Sequence, residues 1–185
     1  MGGRHEHGGK SSEGRFDKNE ILEALAIASG WNIYDAGCGN GYMSKEFARV
    51  VGINGVVYAI DAYEQSIERL KTEVTGSNSN IIVEQRDICQ RTMIADQMVD
   101  LVYLSLVYHG FTDEQKAGFL ADAQRVLKPG GILAVLEWKK EKSTFGPPLE
   151  IRYSPEELAG DIKMKPENII EIGKLIYLMR FVKYS

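Results

Sequence analysis

Apolar and polar residues follow two different patterns along most of the chain. In segments such as "DKNEILEALAIASG" and "TDEQKAGFLADAQRVL", apolar residues return every three or four positions, which is the spacing of a helix with one buried face. Between them lie continuous apolar runs such as "GVVYAIDA" and "VDLVYLSLVYHG", which are typical of strands covered on both faces. Helices alternating with such strands predict an α/β fold with a parallel sheet.

Residues with capping and turn-forming preferences bound these segments. Asp17 and Glu20 have capping-box spacing at the start of the first helix, and Gly30 is placed to end it. Thr112 or Asp113 is placed to cap the helix that runs up to Pro-Gly-Gly. Near the end, "NIIEIGKLIYLMRFVKY" has two apolar runs split by Gly-Lys, which favours a two-residue loop. We therefore expect the sheet to finish with an antiparallel hairpin.

The composition is that of one globular domain. Of the 185 residues, 44% are hydrophobic and 26% are charged, which argues against disorder over most of the chain. The formal net charge of −4 gives no general attraction to nucleic acid or anionic membranes. No apolar stretch is long enough for a spanning helix, and no secretory signal is evident. We expect a cytoplasmic monomer or homodimer that binds neither nucleic acid nor membrane.

The histidines and cysteines predict no metal site and no disulfide framework. The first fifteen residues are glycine-rich and polar, so we expect residues 1–15 to form a flexible tail. His5 and His7 could bind a metal from alternate positions, although a solvated tail is the simpler interpretation. Cys38 and Cys89 fit no zinc-binding spacing.

A run of three alternate glycines, in "YDAGCGNGYMS", follows the first predicted strand. In an open parallel sheet, ligands bind at this turn, where the strand order reverses. The dinucleotide fingerprint needs Gly-x-Gly-x-x-Gly, but Tyr42 occupies the place of its third glycine. The run also lacks the lysine and hydroxyl residue of a phosphate-binding loop. The spacing therefore disfavours both nucleotide-binding motifs.

The segment "DAGCGNG" resembles the first motif of the class I S-adenosylmethionine-dependent methyltransferases. Asp61 ends the second strand, Asp87 follows the third, and "LKPGGILAVLEW" matches the segment leading into the fifth. The resemblance covers residues 16–185, as one methyltransferase domain. It implies a Rossmann-like, doubly wound, seven-stranded sheet, mostly parallel with an antiparallel C-terminal hairpin, and S-adenosyl-L-methionine as cofactor.

The same resemblance implies a set of cofactor-binding residues. Asp61 would hold the ribose hydroxyls, Asp87 the adenine amino group, and Asp35 would approach the amino group of the methionine part. For Tyr63, packing on adenine and a role as helix-start residue remain open, and Cys38 is read as a small turn residue. The full set is Asp35, Gly37, Cys38, Gly39, Asn40, Gly41, Asp61, Ala62, Tyr63, Asp87, Ile88 and Ser105.

His109, just past the fourth strand, is the candidate catalytic base, with loop capping and pocket lining as alternatives. The segment "LSLVYH" lacks the Asn/Asp-Pro-Pro-aromatic motif, which disfavours methylation of adenine or amide nitrogens. A methyltransferase acting on a small molecule is our first interpretation. A protein of this fold that binds the cofactor or a partner without turnover, or an enzyme acting on a macromolecule, is the alternative. We expect residues 139–153 and the tail with Phe16 to act as mobile lids, with packing of Phe16 against the first helix as the alternative for that residue.

Overall fold

The computed structural model describes residue 14 and residues 16–75 and 79–184 of the chain. In this part, seven strands form one sheet with helices on both faces. The helices are α1 (Lys18–Leu25), α2 (Tyr42–Val51), α3 (Glu64–Val74), α4 (Asp113–Val126) and α5 (Pro155–Asp161). The strands are β1 (Asn32–Ala36), β2 (Val56–Asp61), β3 (Ile81–Gln85), β4 (Val99–Ser105), β5 (Leu127–Trp138), β6 (Lys165–Ile172) and β7 (Ile176–Val182).

The strand order is β3-β2-β1-β4-β5-β7-β6. The pairs among β1 to β5 are all parallel, whereas β7 runs antiparallel to both β5 and β6. The predicted α/β fold, mostly parallel with an antiparallel C-terminal hairpin, is therefore confirmed. The order reverses between β1 and β4, so the loops that follow β1 to β5 meet at one edge of the sheet, called the carboxyl edge below.

Two apolar layers cover the sheet. One face packs against α4 and α5 through residues such as Phe119 and Leu158, and the other packs against α1 and α2 through Ile21 and Phe47. All four side chains are fully buried. Because β1, β4 and β5 are covered on both faces, their inner residues form the continuous apolar runs seen in the sequence.

Several predicted element ends were wrong. Helix α1 ends at Leu25, where Ala26 takes a left-handed conformation (φ 49°), and does not continue to Gly30. Glu20 closes no capping box; its carboxylate instead accepts from the Gly173 backbone N–H at 2.9 Å. The hairpin loop has three residues, since Ile172 pairs with Ile176. The predicted cap Thr112 is confirmed, and Ser154 caps α5; each forms a complete capping box.

The predicted tail, residues 1–15 with His5 and His7, lies outside the described residues except for Gly14. Phe16 packs against the α1–α2 layer of the core. Over the described ranges, no helix has both the length and the apolar character needed to cross a membrane. No group of three or more His, Cys, Asp or Glu side chains in the same ranges is placed to hold a metal ion.

Candidate active site

The glycine loop between β1 and α2 is closed by hydrogen bonds to the protein itself. The backbone N–H groups of Gly37 and Cys38 both donate to Ile60 O, at 2.8 and 3.1 Å, and that of Gly41 donates to Cys38 O at 2.9 Å. The Gly39 N–H donates to Asp61 Oδ2 at 2.9 Å. These four N–H groups are therefore not directed outward as an anion-binding nest, the arrangement that holds a diphosphate.

Two of these glycines face different surroundings. A Cβ on Gly41 would lie 2.4 Å from Leu70 Cδ1, so the loop needs glycine there to pack against α3. A Cβ on Gly39 would meet no atom within 4 Å. Both have positive φ, 73° and 53°. Gly41 is thus required by packing, while the open side of Gly39 leaves space for a ligand against the loop.

Asp61, at the end of β2, connects the glycine loop to the start of α3. Its Oδ1 accepts from the Tyr63 N–H at 2.8 Å, and its Oδ2 accepts from Gly39. Tyr63 is the N-cap residue of α3 and its side chain is exposed, so it does begin this helix. Ala62 is also exposed, and its carbonyl accepts from Gln85 Nε2 at 3.5 Å. Asp61 is therefore held in a fixed orientation at the carboxyl edge.

Asp87 and Ile88 lie in the loop after β3, beside the glycine loop. Asp87 Oδ1 accepts from the Cys89 N–H at 2.9 Å, and Ile88 Cδ1 would lie 3.6 Å from a Cβ on Gly37. The same loop is tied to α4, because Asp122 accepts from Thr92 Oγ1 at 2.7 Å. The structure therefore brings the segment with Asp87 next to Gly37, as expected from the sequence.

Asp35 is buried at the end of β1 and accepts a hydrogen bond from Ser44 Oγ of α2. Burial raises the pKa of this carboxyl from 3.8 to about 7, the negative charge of Asp61 adds to the increase, and the hydrogen bonds from Ser44 oppose it. Burial also raises the pKa of the Cys38 thiol well above its ordinary value. Cys38 is thus a buried neutral thiol, which agrees with its interpretation as a small turn residue.

The end of β4 contains an unusual backbone. Leu106 is buried yet has a φ of 57°, a left-handed conformation that is costly for a residue with a Cβ. Its N–H donates to Leu136 O at 2.8 Å, which holds it beside β5. Next to it, Ser105 Oγ is buried and makes no hydrogen bond within the described residues. No glycine in "LSLVYH" signalled this turn, so sequence reasoning missed it.

His109 is buried and paired with Glu137 near the end of β5. The two Glu137 carboxylate oxygens lie 2.9 and 3.1 Å from His109 Nδ1. They also accept the backbone N–H groups of His109 and Trp138, both at 3.1 Å. Because the carboxylate accepts at Nδ1, that nitrogen carries a proton. Sequence reasoning missed Glu137, although its place just before the carboxyl end of β5 was readable from "AVLEW".

The loop over residues 139–153 is organised around Arg152. Arg152 is 4% exposed and donates to the backbone carbonyls of Pro147, Lys139, Glu141 and Phe145 at 2.7–3.2 Å. It therefore points into its own loop. That residues 139–153 act as a mobile lid, open without ligand and closed with it, remains a prediction.

The model of the family described as "Methyltransferase domain" matches residues 33–131. The chain belongs to this family. The expected resemblance to class I S-adenosylmethionine-dependent methyltransferases is thereby confirmed. A solved relative, a "SAM dependent methyltransferase from Aquifex aeolicus", superposes with a TM-score of 0.81 at 27% identity, over 91% of this chain and 90% of that one.

Curated relatives are longer than this chain. The "Ubiquinone/menaquinone biosynthesis C-methyltransferase UbiE" of Saccharophagus degradans is 31% identical over 133 residues, which is 71% of this chain and 52% of the relative. The "Uncharacterized methyltransferase sll0829" of Synechocystis is 30% identical over 135 residues, which is 70% of this chain and 58% of that protein. The chain thus spans about half the length of the UbiE relatives it matches.

Proposed function

We propose that this chain transfers a methyl group from S-adenosyl-L-methionine to a small-molecule acceptor. The observation that carries the proposal is the bond between the glycine loop and Asp61. It occupies the Gly39 N–H and presents a carboxylate where a ribose can be recognised. The N–H groups of Gly37, Cys38 and Gly41 donate to backbone carbonyls, so the loop has none of these donors left for a dinucleotide diphosphate. Membership of the methyltransferase family supports the same conclusion.

The residues present fit this cofactor. Asp61 would accept from the ribose hydroxyls, and Asp87 from the adenine amino group beside Ile88. Gly39 leaves open space at the loop, and Ser105 ends β4 at the same edge of the sheet, with its hydroxyl beside that of Tyr103. When bound, S-adenosyl-L-methionine supplies a methyl group on a positively charged sulfur.

Asp35 would lie at the methionine end of the cleft, where its ionisation would depend on the bound ligand. With a pKa raised to about 7 by burial, it is part protonated at neutral pH. A bound ammonium group would favour the ionised carboxylate, as an opposite charge does at short distance. Ser44 would then hold one carboxylate oxygen while the other faces the ligand.

His109 and Glu137 supply a base for acceptors that must lose a proton. Glu137 favours the tautomer with the proton on Nδ1 of His109, and in that tautomer Nε2 is the ring nitrogen that can accept a proton. General-base catalysis contributes typically about 10²–10⁴-fold in rate. Two backbone N–H groups and the imidazole fix the carboxylate of Glu137. Glu137 would act only through His109 and is therefore a positioning residue.

The acceptor is proposed to be a small molecule, methylated in the cytoplasm by a monomer or homodimer. The two cysteines are unpaired, which suits a reducing compartment. The relatives named for quinone biosynthesis methylate carbon, so phenols and quinols are the first acceptors to test.

Binding and turnover can be tested separately. Calorimetry with S-adenosylhomocysteine should show micromolar binding, with NAD as the negative control. Transfer of labelled methyl from S-adenosyl-L-methionine to a panel of phenols and quinols should then show turnover. Tight NAD binding without any S-adenosylhomocysteine signal would refute the proposal. Cofactor binding without turnover on any acceptor class, nucleic acid and protein included, would favour the non-catalytic alternative.

A further inference from the structure

The loop after β5 lines an open-sided cavity of about 380 Å³, which lies beyond the carboxyl end of that strand. Three charged side chains line it, those of Arg152, Lys142 and Glu141, together with an apolar wall formed by Pro147, Pro148 and Leu149. The two cations outnumber the one anion. The volume and the mixture of apolar wall and few polar groups are those of a small-ligand site.

Arg152 makes this cavity unusual, because its buried charge has no carboxylate partner among the described residues. Four of its five N–H groups donate to backbone carbonyls of the loop. The guanidinium also lies 5.8 Å from the centre of the Trp138 ring. Carbonyl dipoles and a π face attract a cation without neutralising it, and a buried charge is costly unless it is paired.

The loop backbone is built closely around this guanidinium. A Cβ on Gly146 would lie 2.8 Å from Trp138 Cε3 and 3.2 Å from Arg152 Nη2. Glycine therefore allows the chain to lie close to both the indole and the guanidinium. The remaining N–H of Arg152, on Nη2, makes no hydrogen bond within the described part of the chain. This arrangement offers both a charge and a donor to a ligand that enters the cavity.

We propose that this cavity binds the carboxylate group of a small organic acid, with Arg152 and Lys142 as the recognising cations. The apolar body of the acid would lie against Pro147, Pro148 and Leu149. We infer that this acid is the methyl acceptor, an inference that rests on the function proposed above. The reason is that the loop begins directly after β5, on the edge where the proposed cofactor residues lie. The inference narrows the acceptor class from any small molecule to an organic anion.

Binding can be measured with a pair of probes that differ in charge. Fluorine NMR should show 4-fluorobenzoate binding at least about tenfold more tightly than the neutral 4-fluorobenzamide, with S-adenosylhomocysteine present at saturation. Equal binding of the two, or no binding of either, would overturn the proposal. Tighter binding of 4-fluorophenyl phosphate would overturn the assignment to a carboxylate.

Three variants test the residues. Arg152→Gln should abolish the preference for the anion. Because Arg152 also organises the loop, Lys142→Glu provides a second test on an exposed side chain and should weaken 4-fluorobenzoate binding about threefold or more. Lys165→Glu is the matched control, since it makes the same charge change on an exposed residue at the opposite edge of the sheet. Equal affinities in the two lysine variants would overturn the role of Lys142 and with it the proposal.

Cofactor binding is read independently in the same samples. Calorimetry with S-adenosylhomocysteine reports on the proposed methyltransferase function, whereas the fluorinated probes report on the cavity. Intact cofactor binding without anion preference would refute the cavity alone. Anion preference without cofactor binding would support the cavity as a carboxylate site and refute its assignment to a methyl acceptor.

Discussion

Replacing Asp35 by asparagine is expected to stabilise the folded chain above neutral pH. The carboxyl group is buried at the end of β1, where desolvation raises its pKa to about 7. In the unfolded chain the same group has the ordinary value of 3.8. Asparagine keeps the shape and can still accept the hydrogen bond from Ser44, but it carries no charge at any pH.

The sign and size of the effect follow from proton linkage. Between pH 3.8 and about 7 the folded chain binds the proton that the unfolded chain has released, so the free energy of unfolding falls as pH rises. The full difference corresponds to roughly 4 kcal/mol. Below pH 3.8 this stabilisation is fully present, and above pH 7 it is lost. Asp35→Asn should therefore resemble the wild type near pH 4 and exceed it by up to about 4 kcal/mol at pH 8.

Urea unfolding followed by circular dichroism at pH 4, 6 and 8 measures this difference. Asp113→Asn is a control for the same change on a fully exposed carboxyl, which pairs with Lys116 in the first turn of α4. It should cost no more than about 1 kcal/mol and should not exceed the wild type at pH 8. Equal stability of Asp35→Asn and wild type at pH 8 would refute the argument that Asp35 is held partly protonated. If Asp35 faces the cofactor ammonium, the stabilised variant should also bind S-adenosylhomocysteine more weakly.

Four further substitutions test the site. Asp61→Ala should cost about 1.5–3 kcal/mol of S-adenosylhomocysteine affinity, the range for hydrogen bonds to a charged group, and unchanged calorimetry with an intact fold would remove Asp61 from the site. Glu137→Gln should move the His109 proton to Nε2, visible by nitrogen NMR, and lower kcat about 10²-fold at unchanged cofactor affinity; a proton that stays on Nδ1 would contradict this. Gly41→Ala should destabilise by about 1–3 kcal/mol through its clash with Leu70. Gly39→Ala should cost less stability but more cofactor affinity, and the reverse order would contradict the assignment of its open side to the ligand.

The fold was predictable because the pattern of apolar residues along the chain differs between its strands and its helices. Strands β1, β2, β4 and β5 are buried on both faces and read as continuous apolar runs, and the caps Thr112 and Ser154 are local signals. Element ends were less predictable where a tertiary contact decided them. Helix α1 stops at Leu25 although Gly30 offered a better stop, and Glu20 bonds to Gly173, 153 residues away. A local pattern contains no information about such a distant partner.

The candidate site also has one part that was predictable from the sequence and one part that was not. The glycine loop and Asp61 were predictable because their spacing along the chain is a local signal of the turn and of the ligand proposed to bind there. Glu137 was not, since one acid within an apolar strand gains its meaning only when β5 pairs with β4 and places it under His109. The left-handed Leu106 is similar, because only its bond to Leu136 on the neighbouring strand maintains that conformation. The residues proposed to recognise the cofactor are thus encoded locally, whereas those proposed to act on the acceptor depend on strand pairing. On this proposal, related chains can keep one methyl donor while their acceptors diverge.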